Sequence, residues 1–291
     1  MASSSPAKLD PWVKGILVDP IAKSTLRWTD TGVVSDYGVA YGFEGRILDL
    51  RPFREHRFSK PARIWKLGQI AYEHWQKRLG EEVEGDYSGE LAGVREVYEV
   101  MPLTGRCLDV GGHQGRLRAF LEPGQEYLII DPFLDVFESI EGQRGLLRTY
   151  PFLIEPVNFV AGVAEHLPLS SCTFDTVHMR SVIDHFQAPQ LALREAYRVL
   201  RDRGQLIVGL WVEGGMSGRR TPLELAKDAV KAVLPFIGLD RYADHHVWHP
   251  TYKELVTLIE ASGFEIEKVH WQTQWRDRVC YVKALKKTPL C

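Results

Sequence analysis

The residues best equipped for chemistry gather around one glycine loop. Cys107-Leu-Asp-Val-Gly-Gly-His-Gln-Gly-Arg-Leu117 reads as a buried strand over 107–110, a turn carrying Gly111, Gly112 and Gly115, and the start of a helix. Glycines let a ligand approach bare backbone, and a helix opening behind them favours a polar or anionic group. A second strand, Tyr127-Leu-Ile-Ile-Asp131, ends on a carboxylate. Its distance from the loop suits an acid that takes both ribose hydroxyls in a nucleotide fold. The two features together predict a nucleoside-type cofactor. Histidine suits proton transfer near neutral pH. Four candidates are His185, beyond the fourth strand of the pattern, and His245, His246 and His249 in a late loop. The H-H-x-x-H spacing of that loop has no carboxylate set beside it in the sequence, so no metal site is expected. Arg219 and Arg220 could read a carboxylate or phosphate on a substrate, or be solvated charges.

These residues need a scaffold, and the pattern around them supplies one. Strands are expected at 106–110, 126–131, 157–163, 174–180 and 205–211, with helices at about 115–121, 133–140 and 188–201. Such alternation means a parallel sheet with helices on both faces. Upstream, Gly89 to Val100 reads as a helix. Ala62 to Leu79 places Ile64, Leu67, Ala71, Trp75 and Leu79 at helical spacing. Downstream, a helix follows from Pro222 to Leu234 and another from Thr251 to Ala261, closed by Gly263. Strands at about 264–271 and 279–285 form a closing hairpin. Residues up to about 53 show short apolar pieces between turn residues, the pattern of a small antiparallel sheet.

At this point the chain resembles the class I S-adenosylmethionine-dependent methyltransferases, in particular the small-molecule group that includes the ubiquinone and menaquinone methyltransferases. Four blocks carry the resemblance in the family's order: the glycine loop; Glu126 to Phe133; Val160 to Leu169 with Thr173 to Val177; and His185 through Glu195 to Leu200, then Gly204 to Val208. The resemblance implies S-adenosyl-L-methionine as cofactor and a Rossmann-like, seven-stranded, mostly parallel sheet with a C-terminal antiparallel hairpin. It also implies residue roles. Asp109 helps hold the methionine amino group. Gly111, Gly112, His113 and Gly115 line the backbone approach. Asp131 takes the ribose, Pro132 or Phe133 packs on adenine, Ala164 and Glu165 lie at the adenine edge, and Arg180 lines the methionine end. His185 and His249 are the expected catalytic histidines, with Trp75 and Tyr72 as parts of a lid. Each has a plainer alternative: a turn cap for Asp109, a surface acid for Glu165, a salt bridge for Arg180, core packing for Trp75 and Tyr72.

The chain departs from the family's pattern twice. His113 stands where a second glycine is usual, and Val163 stands where an aspartate often precedes the Ala-Glu pair. The N-terminal segment is similar to zinc-ribbon-like modules, but Asp19 and Ala22 replace the first pair of cysteines. One carboxylate and a methyl cannot hold a structural zinc ion.

Three spans are therefore expected: a β module over 1–55, a helical lid or linker over 56–100, and a methyltransferase domain over 101–291. Net charge is −2, against a general nucleic-acid binder. The four cysteines form no C-x-x-C pair, in keeping with thiols in a reducing compartment. There is no secretory h-region and no long apolar run, so a cytoplasmic protein without a membrane span is expected. The leading reading is methyl transfer to O, N or C of a small, partly apolar or aromatic metabolite, for which Trp65, Tyr72, Trp75, Tyr150, Phe152, Trp211 and Trp248 offer aromatic surface. RNA or protein methylation, with the N-terminal module as a docking unit, and a non-methylating protein on the same fold are the alternatives.

Overall fold

The computed structural model describes residues 5–52, 85–138, 140–220, 246–273 and 277–287, with positions 222, 226, 229 and 230. The expected helix over Ala62 to Leu79, with Trp65, Tyr72 and Trp75, lies outside the described residues. So do His245 and most of the helix expected from Pro222.

Five parallel strands build the centre: β6 (Cys107–Val110), β7 (Tyr127–Asp131), β8 (Val157–Ala161), β9 (Phe174–Arg180) and β10 (Leu200–Trp211). β6, β7 and β8 are buried at every residue, as expected of strands covered on both faces. Side chains alternate between two cores. Leu108, Val110, Leu128, Ile130 and Val160 enter one, and Cys107, Tyr127, Ile129 and Phe159 the other. The hairpin of β11 (Phe264–Trp271) and β12 (Val279–Lys286) closes one edge, with β12 antiparallel to β10.

The sheet order is β11-β12-β10-β9-β6-β7-β8 and then onward into the N-terminal strands. From β6 the chain runs outward through β7 and β8, then returns to the other side of β6 as β9. The crevice beyond the carboxyl ends of β6 and β9 is the switch point where open α/β sheets bind ligands. The glycine loop leaves β6 there, and the turn carrying His185 leaves β9 there.

The N-terminal strands are antiparallel among themselves: β2 (Leu26–Thr29), β3 (Gly32–Ser35), β4 (Ala40–Glu44) and β5 (Ile47–Asp49). They join the main sheet edge to edge. β5 and the short β1 (Ala7–Lys8) both pair in parallel with β8, at Leu48↔Val160 and Ala7↔Val157. Asp19 folds the turn that leads into β2. Its carboxylate accepts the N–H groups of Ile21 and Ala22 at 2.8 and 2.7 Å and the Tyr41 hydroxyl at 3.0 Å.

Helix α1 (Pro11–Lys14) is one turn, and α2 (Ser88–Val100) is the long helix leading into β6. α2 buries Val94, Val97 and Tyr98, one face at i, i+3 and i+4 spacing. Two expected helices take other forms. Residues 116–120 are a 3-10 turn, because only a few residues separate the left-handed Gly115 from the extended Leu121 and Pro123. That is too short to repay the cost of starting an α-helix. The expected helix over 133–140 is replaced by turns, with a 3-10 segment at Ile140–Gly142 and α3 at Arg144–Thr149. α4 (Pro189–Val199) matches its expected span, and α5 (Tyr252–Ala261) starts on a complete capping box between Thr251 and Glu254. Among the described residues no helix is long and apolar enough to cross a membrane.

Candidate active site at the sheet switch point

The loop after β6 has the backbone of a cradle. Gly111 and Gly115 adopt φ of 70° and 82°, the left-handed region that suits glycine. A Cβ on Gly111 would lie 2.5 Å from Val182 Cγ1, so the two loops of the switch point close on each other only because that atom is missing. A Cβ on Gly112 would overlap the Asp109 carboxylate. His113 also takes a left-handed conformation, φ 50°, although it carries a side chain. Such a conformation costs a non-glycine residue about 1 kcal/mol or more. Its N–H donates to Asp131 Oδ2 at 2.9 Å, which holds the loop against the tip of β7. Burial and the neighbouring Arg116 push the His113 imidazole down to about 3, so it is neutral at physiological pH.

Asp131 is 3% exposed. Its other oxygen accepts the Phe133 N–H at 3.0 Å. Burial raises its pKa to about 7; the two N–H donors oppose the rise, and Asp109 and Asp135 add to it. Pro132 and Phe133 are half-buried beside it. The Pro132 carbonyl accepts Arg51 Nη1 at 2.8 Å, so the segment following β5 reaches the rim of this site.

Asp109 faces inward. It accepts the Tyr127 hydroxyl at 2.5 Å on one oxygen and His178 Nδ1 at 2.8 Å on the other. His178 Nε2 in turn meets the Tyr98 hydroxyl at 2.8 Å. With Nδ1 donating to Asp109 and Nε2 accepting from Tyr98, every group in this chain is satisfied. Burial pushes both phenols well above their ordinary range, which keeps them as O–H donors. Asp109 is thus the middle of a relay that runs from α2 through β9 to β6 and β7.

Glu165, expected at the adenine edge, is hydrogen-bonded to the start of α4. Its Oε1 accepts the N–H groups of Gln187 and Ala188 at 2.8 and 3.2 Å. It therefore caps α4, whose own N-cap residue, Ala188, has no side-chain oxygen. Ala164, beside it, is buried. Arg180, at the end of β9, pairs with Glu90 of α2 at 3.3 Å, and Arg116 reaches the same carboxylate at 2.8 Å.

His185 sits in a 3-10 turn, Ile183–His185, just beyond β9. Asp184 in that turn accepts the Val247 and Trp248 N–H groups on its backbone carbonyl, at 2.8 and 3.1 Å. The late loop is thereby tied to the end of β9. His246 Nε2 lies 3.7 Å from Asp184 Oδ2, and the His185 and His246 rings are 4.5 Å apart between centroids. His249 Nδ1 is 3.8 Å from Glu213 Oε1. Asp244 adjoins the histidine loop in sequence, and the fold brings two distant carboxylates to it, Asp184 and Glu213. Arg220 pairs with Glu213 at 3.4 Å. Tyr150 is a buried core residue, whereas Trp211 is exposed and Trp248 is packed against the core.

Sequence reasoning missed Glu90, Tyr98, Tyr127, Asp184 and His178. One signal was available. His178 interrupts an apolar strand between Val177 and Met179, and in parallel register it stands opposite Asp109.

Comparison with known proteins fits this geometry. The sequence family described as "Methyltransferase domain" matches residues 108–208, from β6 into β10. The ubiquinone/menaquinone biosynthesis C-methyltransferase UbiE of Escherichia coli O1:K1 / APEC is 31% identical over 187 residues, 60% of this chain and 70% of the relative. A tRNA U34 carboxymethyltransferase of Geobacter sp. (strain M21) is 27% identical over 206 residues, 67% of this chain and 57% of the relative. Among solved structures, the 1,6-didemethyltoxoflavin-N1-methyltransferase of Burkholderia thailandensis, with bound 1,6-didemethyltoxoflavin and S-adenosylhomocysteine, shares the fold. Its TM-score is 0.52 at 15% identity, over 80% of this chain and 93% of that one. The chain belongs to the class I S-adenosylmethionine-dependent methyltransferases. It is a methyl-transferring enzyme whose cofactor is S-adenosylmethionine. The cradle suits that cofactor: a glycine-lined backbone at the switch point, and a carboxylate at the next strand tip within reach of the loop.

Proposed function

We propose that this enzyme methylates a small, partly apolar or aromatic metabolite at oxygen, nitrogen or carbon. The single observation that carries the reading is the paired imidazole–carboxylate cluster at the carboxyl ends of β9 and β10: His185 with Asp184, and His249 with Glu213. Methyl transfer is an in-line displacement in which the cofactor brings the electrophile. The protein then has to align the acceptor and remove its proton. A histidine beside a carboxylate is fitted to take that proton, since the carboxylate stabilises the imidazolium.

In this reading Gly111, Gly112, His113 and Gly115 give the cofactor its backbone surface. Asp131 takes the ribose hydroxyls, and Phe133 and Ala164 flank the base. Arg180 and Glu90 set the charge at the methionine end. Asp109 acts through the loop, by fixing Gly112 and the register of β6 against β9. The likeness to UbiE supports a small acceptor, and a net charge of −2 argues against broad phosphate contacts. The likeness to the tRNA U34 enzyme favours a second reading, with RNA as acceptor.

Labelled S-adenosylmethionine separates the two. The enzyme is incubated in parallel with bulk tRNA and with a panel of phenolic, quinol and heteroaromatic metabolites. Label in a small-molecule fraction, lost in His185→Ala and His249→Ala, supports the proposal. Label in tRNA alone overturns it in favour of RNA.

A further inference from the structure

Asp184, His185 and His246 bring one carboxylate oxygen and two imidazole nitrogens within 4.8 Å of one another. Two chain segments, about sixty residues apart in sequence, are held together there by the hydrogen bonds from Val247 and Trp248 to the Asp184 carbonyl. A second observation concerns Asp184 itself. Its Oδ1 is buried and has no hydrogen-bond partner; His185 Nε2, at 4.0 Å, is too far away to serve. A buried carboxylate oxygen without a donor loses its hydration for nothing unless a cation compensates it.

We propose that Asp184, His185 and His246 form a binding site for a divalent transition-metal ion at the acceptor end of the active site. Two imidazoles and a carboxylate suit zinc, manganese, iron, cobalt or nickel rather than calcium or magnesium, which prefer all-oxygen shells. Ligand bonds of about 2.1 Å in a tetrahedral arrangement place donors roughly 3.4 Å apart. The three candidate ligand atoms, one per residue, lie within 4.8 Å of one another, with His246 Nε2 3.7 Å from Asp184 Oδ2 and His185 Nε2 4.0 Å from Oδ1, so side-chain rotations bring them to that spacing. Three protein ligands leave at least one coordination position, as in substrate-binding rather than structural metal sites. The ligand class for that position is an oxygen-bearing acceptor. His249 and Glu213, next to His246, form the neighbouring shell.

The proposal deepens the small-molecule reading by assigning His185 to the metal and leaving His249, beside Glu213, as the proton acceptor; its test reads the metal without methyl transfer, so either can fail alone. The full chain is stripped with a chelator and titrated with zinc by calorimetry and with cobalt by visible absorption. His246→Ala removes a ligand whose side chain is partly solvent-exposed, and Asp184→Asn removes the carboxylate charge. His270→Ala, in a His–Glu96 pair elsewhere, is the control. Thermal melts confirm that each variant is folded. The expected result is about one zinc per chain, a cobalt band in the visible, and affinity weakened roughly tenfold or more in His246→Ala and Asp184→Asn but unchanged in His270→Ala. Substoichiometric zinc, or binding that His246→Ala and Asp184→Asn both retain, reduces the cluster to imidazole–carboxylate pairs and overturns the proposal.

Discussion

Cofactor binding should be linked to the ionisation of Asp131. In the cofactor-free protein its carboxyl is buried at the tip of β7 and titrates near 7 instead of 3.8. That change corresponds to roughly 4 kcal/mol of preference for the neutral form. The sign follows from linkage. Below about pH 4 the group is protonated in both folded and unfolded chains. Between pH 4 and 7 the folded chain keeps a proton the unfolded chain has lost, so this contribution to stability is lost as pH rises through 7. Ribose hydroxyls donating to the carboxylate favour its charged form. If binding selects that form, the apparent Kd grows by the inverse of the ionised fraction. The penalty is about twofold at pH 7 and about elevenfold at pH 6, and it is nearly absent at pH 8. His113, the closest imidazole, titrates near 3 and does not interfere in this range. Isothermal titration with S-adenosylhomocysteine at pH 6, 7 and 8, in two buffers of different ionisation enthalpy, reads both quantities. The expected result is binding about tenfold tighter at pH 8 than at pH 6, with about half a proton released at pH 7. Asp131→Asn should bind more weakly at pH 8 and show a flat profile. A wild-type Kd constant within twofold across the range, with no proton release, would refute the reasoning.

Three further outcomes follow from the same geometry. Gly112→Ala places a methyl group on the Asp109 carboxylate and should abolish measurable S-adenosylhomocysteine binding in calorimetry while the fold survives by circular dichroism; wild-type affinity contradicts the cradle. His178→Phe strands Asp109 and Tyr98 without a shared partner in the core and should lower unfolding free energy by roughly 2–5 kcal/mol in urea titration. A change below about 0.5 kcal/mol would mean that the relay adds nothing to stability. Thr251→Ala removes the α5 capping box and should cost about 1 kcal/mol in the same assay, with Thr251→Ser retaining most of it.

The parts of the fold that were legible in the sequence are those where burial is set by short-range pattern. β7 carries the apolar run Tyr127 to Ile130 and is buried at every residue, and β9 spans the expected 174–180 although Asp175, Thr176 and His178 interrupt its apolar residues. α2 declares itself by Val94, Val97 and Tyr98. The segments at 115–121 and 133–140 misled because their composition suits helix while their length and their contacts do not. Gly115 and Pro123 leave room for little more than a turn, and the second segment breaks into turns before Gly142. In the site, the glycine loop and Asp131 were visible because they are close in sequence and rest on backbone geometry. The relay was not. Tyr98, Asp109, Tyr127 and His178 come from four elements, and only the register of β6 against β7 and β9 brings them together. Asp184 and His246 were hidden for the same reason, since the hydrogen bonds that join their segments are made by backbone groups of no particular residue type.

In the proposed function the switch point between β6 and β9 holds S-adenosylmethionine with Asp131 on its ribose. A crystal structure with S-adenosylhomocysteine tests it directly. The expected structure has the ribose hydroxyls within hydrogen-bond distance of the Asp131 carboxylate and the homocysteine end directed towards Arg180 and His185. An adenosine bound elsewhere, with Asp131 still enclosed by His113 and Phe133, would contradict it.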